Sequence, residues 1–181
     1  MTKRGGMLEV ITGCMYSGKS EELLRRIRRC YIANQHILVL KPTLDSRYSR
    51  DCVATHIGGT LKALPIKDVE ELKRHLKTYP KTEVVALDEV QFFDDTIVDV
   101  LEAQANQGHR VLVAGLDLDS DGNPFGPMAR PLAVADNITK LTAVCVAKTV
   151  DNGVEVTCGQ PATRSYRLPE HDTGERVQVG S

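Results

Sequence analysis

Residues 13–20 read GCMYSGKS, a G-x-x-x-x-G-K-[ST] pattern, and residues 84–93 read VVALDEVQFF. In the first stretch, glycines let the backbone fold tightly enough for its N–H groups to converge on anionic oxygens. Gly13, Cys14, Met15, Tyr16, Ser17, Gly18, Lys19 and Ser20 would form that phosphate cradle. Lys19 would reach the β- and γ-phosphates of a nucleotide, and the Ser20 hydroxyl would ligate Mg2+. In the second stretch an apolar run ends in two adjacent carboxylates, Asp88 and Glu89. A carboxylate ending a strand downstream of a phosphate loop is placed to orient Mg2+, the role expected of Asp88. Glu89 would point to the other side of the chain, where a carboxylate can accept a proton from an attacking hydroxyl. Position alone leaves open whether that hydroxyl belongs to water or to an alcohol, or whether both carboxylates are solvated strand-end residues.

Such groups need rigid elements to hold them. MLEVIT (7–12), HILVL (36–40), EVVAL (83–87) and RVLVAGL (110–116) are near-continuous apolar runs, the pattern of strands buried on both faces. Helical spacing lies between them. Leu23, Leu24, Ile27, Cys30 and Tyr31 share one face after Ser20. Asp68 is placed to cap a helix whose apolar face is Val69, Leu72, Leu76 and Tyr79, ending at Pro80. Asp94 or Asp95 is placed to cap another, with Ile97, Val98, Leu101 and Ala105 facing inward and Gly108 stopping it. Strands alternating with helices predict an α/β fold, a mostly parallel sheet with helices on both faces. Residues 41–66 are less regular, and LDLDSDGNPFGP (116–127) reads as a mobile polar loop. After Pro131, ITKLTAVC reads as a strand, and TVDNGVEVTC carries an Asn-Gly hairpin signal. The expected organisation is a nucleotide-binding core over 1–140 and a small β-rich unit over 141–181.

The bulk numbers exclude several function classes. No run approaches the ~18 apolar residues of a membrane span, so no membrane partner is expected. MTKRGG is followed by only a short apolar run and does not read as a signal peptide, so a cytoplasmic location is expected. The formal charge of −1 offers no global basic field, so no nucleic-acid partner is expected. RRIRR (25–29) reads as a solvated helix face, with Ile27 turned inward. Five cysteines, an odd number, argue against a disulfide framework and leave metal or free-thiol roles open. The histidines His36, His56, His75 and His109 form no spaced pair.

Taken together, GCMYSGKS, KPTLDSRYS (41–49), LDEVQFF (87–93), GLD (115–117), PFG (124–126) and CGQPATRSYRL (158–168) resemble the type II thymidine kinase family, in family order and over nearly the whole chain. The resemblance implies a P-loop, RecA-like core with a small C-terminal zinc-ribbon and lasso domain. It implies transfer of the ATP γ-phosphoryl to the 5′-hydroxyl of thymidine, with Glu89 as general base and Lys19 and Arg47 assisting. Asp45, Ser46 and Arg47 would face the phosphates, and Asp88, Glu89, Val90 and Gln91 would line the junction of metal, base and nucleoside. Met15, Phe92, Leu116 and Phe125 would enclose the thymine, and Thr163 would approach it. RVQVGS (176–181) matches the start of the lasso, so Val177, Gln178, Val179, Gly180 and Ser181 would cover the nucleoside through backbone groups. Cys145 and Cys158 stand where the family has a C-x-x-C zinc pair, here with a hairpin insertion between them, and His171 is a more distant candidate ligand. A homotetramer and feedback inhibition by dTTP are further family expectations.

Two readings from other classes share the phosphate loop. A P-loop ATPase acting on nucleic acid would release ADP without a nucleoside, and a nucleotide-binding module would bind ATP or dTTP without product. What favours an alcohol acceptor over water is the neighbourhood. QFF follows the carboxylates directly, and a pocket for a base is something a plain hydrolase does not need.

Overall fold

The computed structural model describes residues 5–43, 52–54 and 60–166. Asp45, Ser46, Arg47, His56, His171 and the lasso residues Val177, Gln178, Val179, Gly180 and Ser181 lie outside them. The chain runs β1 (Met7–Gly13), α1 (Lys19–Ile32), β2 (Ile37–Pro42), β3 (Cys52–Ala54), β4 (Thr60–Lys62), β5 (Leu64–Ile66) and α2 (Val69–Thr78). It continues with β6 (Val84–Leu87), α3 (Thr96–Asn106), β7 (Arg110–Gly115), α4 (Ala129–Val134) and β8 (Asn137–Leu141). Four short strands follow: β9 (Ala143–Val144), β10 (Lys148–Asp151), β11 (Val154–Thr157) and β12 (Pro161–Ala162).

The apolar runs form a six-stranded sheet in the order β5-β2-β6-β7-β1-β8, and every pairing in it is parallel. Side chains alternate across each strand, which sorts the core into two layers. Val111 and Val113 of β7 face one layer with Val69 and Leu72 of α2 and Ile97, Val98 and Leu101 of α3. Leu112 and Ala114 face the other, against Leu23, Leu24, Ile27 and Cys30 of α1. Helices therefore cover both faces, as the alternation of elements requires. The irregular 41–66 stretch conceals β5, which adds an edge strand beside β2, and ITKLTAVC divides between β8 of the main sheet and β9 of a separate pair.

Local chemistry sets the helix ends. Asp68 accepts from the Glu71 N–H at 2.9 Å while the Glu71 carboxylate accepts from the Lys67 N–H at 2.8 Å. A cap of this kind contributes about 1 kcal/mol. At α3 the N-cap residue is Asp95, which makes no side-chain cap bond, while Asp94 before it accepts from the Thr96 N–H at 2.9 Å. Gly108, at φ 98°, closes that helix in a left-handed turn. Tyr31 and Tyr79 depart from expectation: both are about half exposed, because the last residues of α1 and the residue that follows α2 lie outside the core layers.

RRIRR is not a uniformly solvated face. Arg26 is buried and donates to Glu9 of β1 at 2.8 Å, to Glu22 at 2.8 Å and to the Thr139 hydroxyl at 2.7 Å. Arg110 donates to the same Glu9 at 2.6 Å. A buried glutamate in a central strand requires such partners, since an unpaired buried charge is far more costly than a paired one. Arg25, Arg28 and Arg29 do face outward.

Candidate active site

The phosphate loop leaves the C-terminal end of β1, one strand away from β7 and two from β6. Gly13 has φ 143°, and a Cβ there would stand 2.3 Å from the Leu141 carbonyl oxygen, so only glycine fits. Tyr16 (φ 60°) and Gly18 (φ 85°) take left-handed backbone that turns the chain into α1. The Lys19 ammonium is buried and donates to the Cys14 carbonyl at 2.7 Å. Burial lowers its pKa, against the opposing pull of Glu89, Asp88, Cys14 and Asp117. The Ser17 hydroxyl is buried with no hydrogen-bond partner among the described residues. A charged donor, an unsatisfied hydroxyl and a helix N-terminus around one loop form a donor set that fits phosphate oxygens.

Asp88 directly follows β6 and is buried. It accepts from the Ser20 hydroxyl at 3.2 Å and from the Glu89 N–H at 3.0 Å. Burial first, and the Glu89 charge second, push its carboxyl up to about 7. A partly buried hydroxyl–carboxylate pair of this kind is an oxygen donor set suited to a hard divalent cation. Glu89 takes left-handed backbone, φ 52° and ψ 44°, and opens a short 3-10 turn over Val90–Phe92. The two neighbouring carboxylates take different partners, Asp88 the Ser20 hydroxyl and Glu89 the Gln91 amide.

Beyond Glu89 lies an apolar wall. The rings of Phe92 and Phe125 meet edge-on, their centroids 5.8 Å apart. Phe125 and Leu116 are buried, and Phe92 is partly so. Gln91 is buried between the carboxylates and this wall. Its amide donates to the Glu89 carboxylate and accepts from the Leu116 N–H at 3.1 Å. Val90 is fully buried in the core layer of α2 and α3, which leaves only its backbone to face the site. The 116–127 segment, expected to be mobile, is a compact turn. The Asp119 carboxylate accepts from the N–H groups of Asp121 and Asn123, and Leu118 bridges to Pro124.

The small C-terminal strands reach back onto the phosphate loop. Ser165 accepts from the Met15 N–H at 3.0 Å, and the Cys14 thiol donates to the Ala162 carbonyl at 3.2 Å. Thr163, singled out by the sequence, is exposed, whereas Ser165, two residues further on, touches the loop. Sequence reasoning also missed Asp117, which is buried and pairs with Lys140 of β8 at 2.8 Å. Its signal was the acidic residue directly after the β7 run, at the same strand end as the site.

Cys145 and Cys158 are free thiols that the backbone draws together. The Gly159 N–H donates to the Cys145 carbonyl at 2.9 Å and the Cys158 N–H to the Ala147 carbonyl at 2.8 Å. The inserted segment folds as the β10–β11 hairpin, with Asn152 and Gly153 both at positive φ. Two thiols are half of a tetrahedral zinc set. No group of three or more His, Cys, Asp or Glu that could hold a metal occurs among the described residues. No helix among them is long and apolar enough to cross a membrane. Over residues 6–181 the sequence matches the family model for thymidine kinase.

Proposed function

The chain belongs to the thymidine kinase family, whose members transfer phosphoryl from ATP to thymidine, and on that premise we propose that Glu89 is the general base for the 5′-hydroxyl. The observation that carries this reading is the continuous hydrogen-bonded path Ser20–Asp88, Asp88–Glu89, Glu89–Gln91, Gln91–Leu116 from phosphate loop to apolar wall. Gly13, Ser17, Gly18, Lys19 and Ser20 bind the nucleotide phosphates through N–H groups, a hydroxyl and one ammonium. Ser20 and Asp88 would hold Mg2+, which when bound neutralises charge on the phosphoryl oxygens. Met15, Leu116, Phe92 and Phe125 enclose the thymine and exclude water, so that the sugar hydroxyl rather than solvent meets the γ-phosphoryl. Glu89 takes the hydroxyl proton as the oxygen attacks phosphorus, and ADP leaves in line. Arg47, with Asp45 and Ser46, supplies further phosphate contacts by family resemblance.

Glu89→Gln should lower turnover with thymidine by at least about a hundredfold while ATP affinity, read by calorimetry, stays within about threefold. Turnover near wild type removes Glu89 from the base role. ATP consumption measured with each deoxynucleoside, with nucleic acid and with neither separates a kinase from a water-using ATPase. Family membership and the cysteine geometry further support zinc held in part by Cys145 and Cys158. Family membership alone supports a cytoplasmic homotetramer, inhibition by dTTP and closure by Val177, Gln178, Val179, Gly180 and Ser181. The end of β8 at Leu141 supports a division into a core, 1–140, and a smaller unit, 141–181.

A further inference from the structure

Gln91 is almost wholly buried, at 3% exposure, in a 3-10 turn between the two carboxylates and the aromatic wall. A backbone N–H can only donate, so the amide atom facing Leu116 is the oxygen, Oε1. That contact fixes the orientation of the amide and leaves Nε2 to donate to the Glu89 carboxylate. The surroundings keep room for this arrangement at two glycines. A Cβ on Gly115 would stand 2.8 Å from Gln91 Oε1 and 2.8 Å from the Met128 sulfur. A Cβ on Gly126, at φ 53°, would stand 2.2 Å from the Gln91 carbonyl oxygen. These glycines adjoin Leu116 and Phe125, so the seat of Gln91 and the apolar wall are built from the same two segments.

We propose that Gln91 is a positioning residue for the phosphoryl transfer. Its amide holds the Glu89 carboxylate in one orientation and ties that orientation to Leu116. Glu89 sits on left-handed backbone at φ 52°, a strained conformation for a residue with a Cβ. Such a residue persists only where its surroundings over-determine it, and the Gln91 amide is one of the contacts that do so. A carboxylate that takes a proton during in-line attack must meet the hydroxyl within hydrogen-bond reach, and small misplacements are expensive in rate. Leu116 both anchors the amide and lines the wall, so a nucleoside pressing on that wall acts on the base through one side chain.

The inference rests on Glu89 being the base, and the test separates the two. Gln91→Glu keeps an oxygen for the Leu116 N–H but puts a carboxylate opposite Glu89 in place of the donor. It should lower kcat by about tenfold to a hundredfold with the KM for ATP within about threefold. In a Glu89→Gln background the same change should cost no more than about twofold further, because its target is already gone. Wild-type kcat in Gln91→Glu, or an equal fold-loss in both backgrounds, overturns the proposal. Should Gln91→Glu not fold, Gln91→Met, of similar length and without a donor, is read by the same two criteria. Wild-type turnover in Glu89→Gln alone sinks the base assignment instead, a distinct result.

Discussion

Asp88 and Glu89 are chain neighbours with different environments, and the difference is measurable. Asp88 is buried, and its carboxyl is pushed up to about 7, while an unfolded aspartate titrates near about 4. Between those pH values the folded chain holds more protons than the unfolded chain, so Asp88 withdraws stability as pH rises through that window. Asp88→Asn removes the buried charge. Without nucleotide, the variant should be more stable than wild type at pH 8, by on the order of a few kcal/mol and so with a higher melting temperature, the gap closing toward pH 4. Thermal melts at several pH values check this, and coincident melting at pH 8 would contradict it. Both carboxylates are visible in the sequence as a pair after an apolar run, but their partners are not. Asp88 meets the Ser20 hydroxyl, which comes from a distant part of the chain, and Glu89, on left-handed backbone, meets Gln91.

Elements were legible wherever an apolar period was long enough to be unambiguous. The four strand runs and the faces of α1, α2 and α3 were readable because each must bury a stripe or a run. Strand β5 was not, since three residues with a proline carry no period. Charge on α1 misled for a different reason. Arginine is expected outside, and nothing local in RRIRR marks which arginine meets a buried carboxylate. The partner, Glu9, lies on another element altogether, and Arg110 arrives from a third. Arg26→Ala should therefore cost about 3–5 kcal/mol of unfolding free energy, because it leaves Glu9 buried with half its pairing. Arg28→Ala, on the exposed side of the same helix, should leave the urea midpoint unchanged. Equal midpoints for the two variants would remove the Glu9 network as a source of stability.

At the scale of the whole molecule, the sheet order decides which loops meet. Strand β7 lies between β6 and β1, so the phosphate loop, the Asp88 end and the Leu116 end open on one edge of the sheet. The small C-terminal strands then pack onto the phosphate loop through Ala162 and Ser165, while the β10–β11 hairpin points away with every strand residue exposed. Its base is closed by the hydrogen bond from Cys158 to Ala147. Deleting residues 148–157 would leave Cys145-Val146-Ala147-Cys158, a C-x-x-C pair. On the proposed zinc assignment the parent should carry about one zinc per chain by metal analysis, and the shortened protein should keep that content, its melting temperature and its turnover with thymidine. Zinc well under one per chain in the parent sinks the cysteine assignment, and lost turnover on deletion would give the hairpin a role in catalysis.

The sequence by itself determined the alternation of strands and helices and the family, and it put forward the G-x-x-x-x-G-K-[ST] loop and the adjacent carboxylates as site candidates. These rest on local spacing and on motifs whose chemistry is carried by neighbouring residues. Only the tertiary structure decided how Gln91 is held between Glu89 and Leu116, which arginine is buried, and that Ser165 rather than Thr163 touches the loop. Each of those facts is a hydrogen bond between residues brought together by sheet order and crossover. Such contacts leave no periodic trace in the chain, because a single partner at long range imposes no pattern on its neighbours.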